Sequence, residues 1–98
     1  MENEIQKAIL EYLKIKKIFC WRNNTGAFTK GDHFYRFGYK GSSDILGILP
    51  GGRFLAIEVK ARSGKLREEQ KEFIDAINQN GGLAFVARSV DDVIAQGI

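Results

Sequence analysis

Residues 45–60 read ILGILPGGRFLAIEVK, two short apolar runs joined by a Pro-Gly-Gly-Arg connection. Proline and glycine mark tight turns, so this stretch predicts a β-hairpin with a four-residue connection. Because side chains alternate between the two faces of a strand, the aliphatic residues Leu55, Ile57 and Val59 share one face of the second strand. Glu58 and Lys60 share the other face.

Two carboxylates fall at the same end of this hairpin. Asp44 precedes the first strand and Glu58 lies near the end of the second. These two positions of an antiparallel pair lie side by side, so Asp44, Glu58 and Lys60 are predicted to meet at one end of the sheet. Burying such charges costs several kcal/mol unless they are compensated. A divalent metal and a phosphate are natural partners, and a structural Glu-x-Lys salt bridge is the simpler alternative.

Two predicted helices carry polar residues on an apolar face. In the helix predicted from Glu2 to about Lys16, Glu2 lies on the apolar side, although it could instead interact with the helix dipole at a frayed terminus. In the helix predicted from about Leu66 to Asn78, Gln70 lies in the middle of the apolar stripe. An unpartnered buried amide costs about 1–3 kcal/mol. We therefore expect Gln70 to reach the end of the Glu58 strand or to serve as a structural cap.

Length and composition limit the possible functions. A chain of 98 residues with a net charge of +3 predicts a single domain, small enough for oligomerisation to help it. It has no long apolar run and no signal-peptide pattern, so we expect a soluble cytoplasmic protein without membrane association. One histidine and one cysteine exclude a zinc finger built from this chain alone.

Basic residues are concentrated in two blocks on either side of the acidic residues. Residues 22–40 carry four basic residues against one acid, and residues 60–67 carry four basic residues and no acid. The first block also contains five aromatic residues among glycines. This composition suits a phosphate backbone and exposed bases. We expect most of these aromatics to pack in a hairpin with a strand over residues 35–39, and Arg36 and Lys40 to contact phosphate.

Taken together, these motifs resemble a VRR-NUC domain, a branch of the PD-(D/E)xK nuclease superfamily that is similar to archaeal Holliday-junction resolvases. The resemblance spans nearly the whole chain. It rests on Glu2-Asn3-Glu4-Ile5-Gln6, Arg36-Phe37-Gly38, Gly41-Ser42-Ser43-Asp44, Leu49-Pro50-Gly51-Gly52-Arg53, Ile57-Glu58-Val59-Lys60, Gly64-Lys65-Leu66 with Gln70, and Val86-Ala87-Arg88-Ser89.

The resemblance implies a role for each matching residue. Asp44, Glu58 and the backbone carbonyl of Val59 would bind Mg²⁺ or Mn²⁺, and Lys60 would be the catalytic lysine. Glu2 would complete the acidic shell, directly or indirectly, and Gln70 would support the site. The expected DNA contacts are Arg36, Lys40, Ser42, Arg62, Lys65 and Arg67.

This sequence departs from the family pattern at one position. Ser43-Asp44 stands where the family usually has Pro-Asp, which keeps the carboxylate.

The expected fold is α/β, with the element order αβββαβα and a restriction-endonuclease-like αβββαβ core around a mixed sheet flanked by helices. The connection from the Glu58 strand through a helix to the strand at residues 83–87 is a βαβ crossover, which predicts parallel pairing. A final helix over residues 90–96 would be capped by Ser89. We expect residues 1–98 to form one stand-alone domain.

The expected function is metal-dependent, structure-selective hydrolysis of phosphodiester bonds in Holliday junctions or other branched DNA. A two-fold homodimer would match a two-fold junction, and no organic cofactor is expected. Three alternatives remain open: a flap or nicking nuclease with loose structure preference, a catalytically silent nucleic-acid-binding subunit, and an RNA-processing endonuclease.

Overall fold

A computed structural model describes residues 1–98 and contains three helices and six strands. Their bounds, in chain order, are α1 Glu2–Ile15, β1 Phe19–Arg22, β2 Gly26–Lys30, β3 His33–Phe37, β4 Ile45–Ile48, β5 Phe54–Val59, α2 Glu68–Gln79, β6 Leu83–Ala87 and α3 Val90–Ile94. None of the helices is both long enough and apolar enough to cross a membrane.

The central sheet has the strand order β1-β4-β5-β6. Strand β4 pairs antiparallel with both β1 and β5. Strands β5 and β6, which precede and follow α2 in the sequence, pair parallel. The predicted hairpin and the predicted crossover are both confirmed, although the hairpin connection spans residues 49–53, five residues rather than the predicted four. Ile45 pairs with Ile57, so Asp44, one residue before β4, lies opposite Glu58 at the end of the sheet.

Each face of the sheet has its own apolar cluster, as the alternation along β5 predicts. Helices α1 and α3 cover one face, where Leu55, Ile57 and Val59 pack against residues such as Ile9 and Leu13. Helix α2 covers β5 and β6 on the other face, through the cluster of Ala56, Ile74 and Ala84. Glu58 and Lys60 point to the α2 side, which brings their charged ends beneath the first turn of this helix.

On the same side, the half of the sheet formed by β1 and β4 is open. Phe19, Trp21 and Ile48 are 67%, 41% and 40% exposed. Phe19 pairs with Ile48 in the register of β1 and β4, and the rings of Phe19 and Trp21 lie 5.6 Å apart. These three side chains form an uncovered apolar surface, here called the open sheet face.

Most of the aromatic residues of the first basic block pack in a hairpin, as predicted, and this hairpin stands apart from the central sheet. Strands β2 and β3 pair only with each other, as a two-stranded sheet. Phe28 and Tyr35 stack on one another at 5.1 Å and remain 52% and 44% exposed. The strand predicted over residues 35–39 lies instead at His33–Phe37, because Gly38 adopts φ +78° and ends it.

The helix bounds differ from the predicted ones by one or two residues. Helix α2 begins at Glu68 rather than Leu66, and α3 ends at Ile94 rather than Gln96. The predicted cap is confirmed, since Ser89 Oγ accepts a hydrogen bond from the Asp92 N–H at 3.3 Å.

The loop between the β2–β3 hairpin and β4 lies directly against the first turn of α2. Gly41 has φ +86°, and a Cβ at this position would overlap the backbone carbonyl of Glu69. The Tyr39 ring also lies 5.8 Å from the Phe73 ring of α2. A glycine is therefore required at position 41 both for its conformation and for the close approach of two backbones.

Substitution of Gly41 by alanine should destabilise the chain more than the same change at Gly51. Gly51 has φ +95° but no atom within 4 Å of the added Cβ, so Gly51→Ala should cost only the left-handed backbone strain of about 1–2 kcal/mol. Gly41→Ala should cost about 1–3 kcal/mol more, from steric overlap. Urea unfolding of both variants measures the difference, and equal losses would contradict the packed position of this loop.

Candidate active site

The predicted acidic residues and lysine meet at the end of β5. Glu58 and Lys60 are only 2% and 7% exposed, and the Lys60 Nζ lies 3.7 Å from Glu58 Oε2. Asp44 Oδ2 accepts a hydrogen bond from the Val59 N–H at 2.7 Å. This bond fixes the Asp44 carboxylate across the end of the β4–β5 pair, so the two carboxylates and the ammonium share one small polar volume.

Gln70 connects helix α2 to this group of charges. It is 6% exposed, and its Nε2 donates to Glu58 Oε2 at 3.2 Å. Its Oε1 accepts from the backbone N–H of Arg67 at 3.0 Å. Both predicted alternatives therefore hold: Gln70 reaches the end of the Glu58 strand, and its Oε1 caps the first turn of α2.

The second oxygen of Glu58 accepts no hydrogen bond. Glu58 Oε1 is buried and faces no donor. Burial raises the pKa of Glu58 to about 8, followed by the charge of Asp44 and a hydrogen bond between Asp44 and the protonated Glu58, against the opposing effect of Lys60 and Arg67. A buried carboxylate oxygen without a donor is costly in free energy. Its environment therefore suits a cation or a proton.

The donor set determines which metal would fit. No three histidine, cysteine, aspartate or glutamate side chains converge into a ready-made metal cage. The available donors are the Asp44 and Glu58 carboxylates and backbone oxygen at Val59. A hard cation such as Mg²⁺, which takes one or two carboxylates and keeps several waters, fits this set. A softer metal that requires nitrogen or sulfur ligands does not.

Glu2 lies at the edge of the site rather than inside it. The sequence predicts an inward-facing side chain, but Glu2 is exposed. The first turn of α1 reaches past the end of β5, where Glu2 Oε2 lies 3.4 Å from the Ala61 N–H. A Cβ on Gly64 would lie 3.3 Å from the same oxygen. Glu2 thus contacts the loop that follows Lys60.

Asn23 is a site residue that sequence reasoning missed. Its Nδ2 donates to Ser42 Oγ at 2.6 Å and to the Ser43 carbonyl at 2.9 Å. Its backbone N–H donates to the Asp44 carbonyl at 2.7 Å. Asn23 therefore fixes the segment that presents Asp44, and the Ser42 hydroxyl is already engaged. The sequence signal that could have identified Asn23 is its position directly after β1, which places it opposite Asp44 in the β1–β4 register.

Arg88 fixes the loop on the other side of Lys60. Its guanidinium donates to the backbone carbonyls of Ala61 and Gly64 at 2.5 and 2.8 Å. This is the last residue of the Val86-Ala87-Arg88 motif. Ala87 is fully buried in the α1-side core, where a charged side chain would be costly.

The predicted DNA-contacting residues occupy two separate places. Arg36, Lys40 and Arg67 line one cleft of about 260 Å³ between the β2–β3 hairpin and α2. Arg62 and Lys65 are exposed on the loop after Lys60 and do not line this cleft.

Comparison with known proteins gives the family and the fold of the chain. A family model described as the VRR-NUC domain matches residues 1–91. No curated protein matches the chain. Among solved structures, one described as a VRR_NUC domain protein superposes with a TM-score of 0.68 at 23% identity, covering 98% of this chain and 84% of the other. At this identity the superposition supports the fold alone.

The family model covers nearly the whole chain and carries the nuclease-type function of the restriction-endonuclease-like superfamily. The protein that presents Asp44, Glu58 and Lys60 at the end of its sheet belongs to the VRR-NUC domain family.

Proposed function

We propose that this chain is a metal-dependent endonuclease that hydrolyses phosphodiester bonds in branched DNA, with Holliday junctions as the preferred substrate. The observation that carries the proposal is the buried, unpartnered Oε1 of Glu58 beside Asp44 and Lys60. A structural salt bridge needs only the pair of Glu58 and Lys60. It does not account for a second buried carboxylate oxygen without a donor, at a raised pKa, facing another acid.

The residues that would hold the metal ion are Asp44, Glu58 and the backbone carbonyl of Val59. The hydrogen bond from the Val59 N–H holds Asp44 Oδ2, and Gln70 holds Glu58 Oε2, which leaves one oxygen of each carboxylate for the ion. When bound, Mg²⁺ or Mn²⁺ supplies a lowered pKa for an attacking water and neutralises charge on the scissile phosphate.

Lys60 positions the phosphate and the attacking water. Its ammonium is nearly buried and lies beside Glu58, so it is already desolvated and oriented before substrate arrives. Electrostatic groups arranged in this way are worth far more than the same groups in water. Glu2 and Arg88 act indirectly, by fixing the loop that follows Lys60 from opposite sides.

The substrate is DNA recognised by its shape rather than its base sequence. The basic side chains near the site are exposed arginines and lysines, which contact phosphates and fix register without reading bases. A homodimer with two such sites would match the two-fold symmetry of a junction. The open sheet face of Phe19, Trp21 and Ile48 is the apolar surface that a second copy would cover.

Asp44→Asn and Lys60→Ala should each lower metal-dependent cleavage by about 100-fold or more, because the first removes a carboxylate that would hold the metal ion and the second removes a preorganised cation at the reacting phosphate. The measurement is cleavage of labelled four-way junction, flap and linear duplex DNA with Mg²⁺ or Mn²⁺. Asp75→Asn, which removes an exposed carboxylate from α2, is the matched control and should leave cleavage unchanged.

The substrates and variants separate the alternatives. Symmetric cuts across the junction, lost in both variants, support the proposal. Cleavage of flaps or duplex alone would replace it with a loosely selective nuclease, and cleavage of RNA alone with an RNA-processing enzyme. Tight binding without cleavage would leave a silent binding subunit. Near-full activity of Asp44→Asn would overturn the site itself.

Without metal, the stability of the chain should fall as the pH rises from about 5 to 8. The pKa of Glu58 in the folded chain is about 8, above its ordinary value, so the folded state holds a proton that the unfolded state has released. The free energy of unfolding should then fall by up to about 1.4 kcal/mol per pH unit.

Urea unfolding in EDTA across this pH range measures the slope, and Glu58→Gln is the control. The variant carries a neutral side chain at every pH, so its slope should be flatter by the contribution of this one group. Parallel pH profiles for the two proteins would show that Glu58 ionises without a penalty. Addition of Mg²⁺ should stabilise the wild type more at pH 8 than at pH 6.

Replacing Phe19 and Trp21 together by serine should dissociate the homodimer, because it removes two large rings from the open sheet face. Sedimentation velocity gives the oligomeric state. Phe28→Ser with Phe34→Ser removes two comparably exposed rings from the β2–β3 hairpin and should leave the dimer intact. A wild-type monomer at working concentration, or a dimer sensitive only to the hairpin variant, would contradict this interface.

A further inference from the structure

The cleft between the β2–β3 hairpin and α2 collects cationic side chains from three parts of the chain. Arg36 comes from β3, Lys40 from the following loop and Arg67 from the residue before α2. Glu69 is the one acid that lines it, and it pairs with Arg67 at 3.1 Å. The cleft therefore has an excess of positive charge in a space of about 260 Å³.

The position of these cations is determined by the packing of the backbone. Gly41 brings the loop against the Glu69 carbonyl in the first turn of α2, which sets Lys40 beside Arg67. Arg36 is held on the opposite wall, with its guanidinium 5.6 Å from the centre of the Phe34 ring. Arg36 and Arg67 are thus oriented by contacts of their own, which reduces the entropy lost when they bind an anion.

This cleft is joined to the proposed metal-binding residues by a chain of two hydrogen bonds. The Arg67 N–H donates to Gln70 Oε1 at 3.0 Å, and Gln70 Nε2 donates to Glu58 Oε2 at 3.2 Å. An anion in the cleft would therefore lie near the scissile phosphate without occupying the same place. Two successive phosphates of one DNA strand are likewise close together but separate.

We propose that Arg36, Lys40 and Arg67 form a subsite for a DNA backbone phosphate neighbouring the scissile one. The proposal rests on the proposed function and specifies where the DNA strand runs, from the end of β5 into the cleft beside α2. The β2–β3 hairpin supplies one wall of the cleft and would hold the DNA strand against α2. Arg62 and Lys65, which lie outside the cleft, would contact other phosphates.

The test is neutralisation of single phosphates in a four-way junction by methylphosphonate substitution, after the cut position has been mapped. Binding is measured in EDTA, so that no cleavage occurs, for the wild type and for Arg36→Ala with Lys40→Ala. Lys14→Ala with Lys16→Ala removes two exposed cations from α1 and the residue after it. This pair is the charge-matched control. Thermal melting confirms that each variant is folded.

In the wild type and the control, one substituted phosphate next to the cut position should weaken binding by about tenfold, as expected for loss of charge-assisted hydrogen bonds. In the cleft variant the same substitution should have little further effect, because its partners are already absent. The salt dependence of binding should also become shallower for the cleft variant, by about one phosphate contact.

Several outcomes would overturn the subsite. One is that each phosphate substitution weakens DNA binding equally in the cleft variant and in the wild type. Another is competition by free inorganic phosphate or a nucleoside monophosphate at concentrations comparable to the junction DNA, which would identify a small-molecule site. If the wild type cuts junctions but shows no coupling, only the subsite fails. If it neither binds nor cuts nucleic acid, the proposed function fails too.

Discussion

The burial of the Glu58 carboxylate is the constraint on which the rest of the site depends. Glu58 lies at the end of a strand whose other side chains are apolar on both faces of the sheet, and it is 2% exposed. An ionised carboxylate there must be compensated. Gln70 and Lys60 supply part of this compensation, and a proton or a bound cation would supply the rest. The register that places Asp44 beside Glu58 adds to the need, because a second acid increases the charge that must be neutralised.

Much of this arrangement could be predicted because it depends on local periodicity. The run at residues 45–60 contains its own turn, so the β4–β5 register and the meeting of Asp44 with Glu58 follow from short-range pairing. Gln70 could be identified because a helical stripe reveals a polar residue among apolar ones. The parallel pairing of β5 and β6 follows from the length of the intervening connection.

What could not be predicted depends on contacts between distant segments. Asn23 and Arg88 act through backbone carbonyls of loops 20 or more residues away, and no local pattern signals such a partner. Glu2 lies on the apolar side of α1, in its first turn. Whether the sheet covers that turn depends on how far α1 extends past the end of β5, which no local pattern shows. The aromatics of residues 28–39 are predicted to pack in a hairpin, but no local pattern shows that their strands pair only with each other and stay outside the central sheet.

The first turn of α2 would link the proposed phosphate subsite to the proposed metal-binding residues. On one side Gln70 holds Glu58, and on the other the backbone of Glu69 is in contact with the loop at Gly41. Helix α2 is also packed on the sheet through Ile74, so these contacts belong to one rigid element. A phosphate pulled into the cleft by Lys40 and Arg67 would press on the same turn that orients the carboxylate. Strand position and ligand orientation would then be fixed together, which favours a DNA shape that can reach both places at once over one that reaches only the metal.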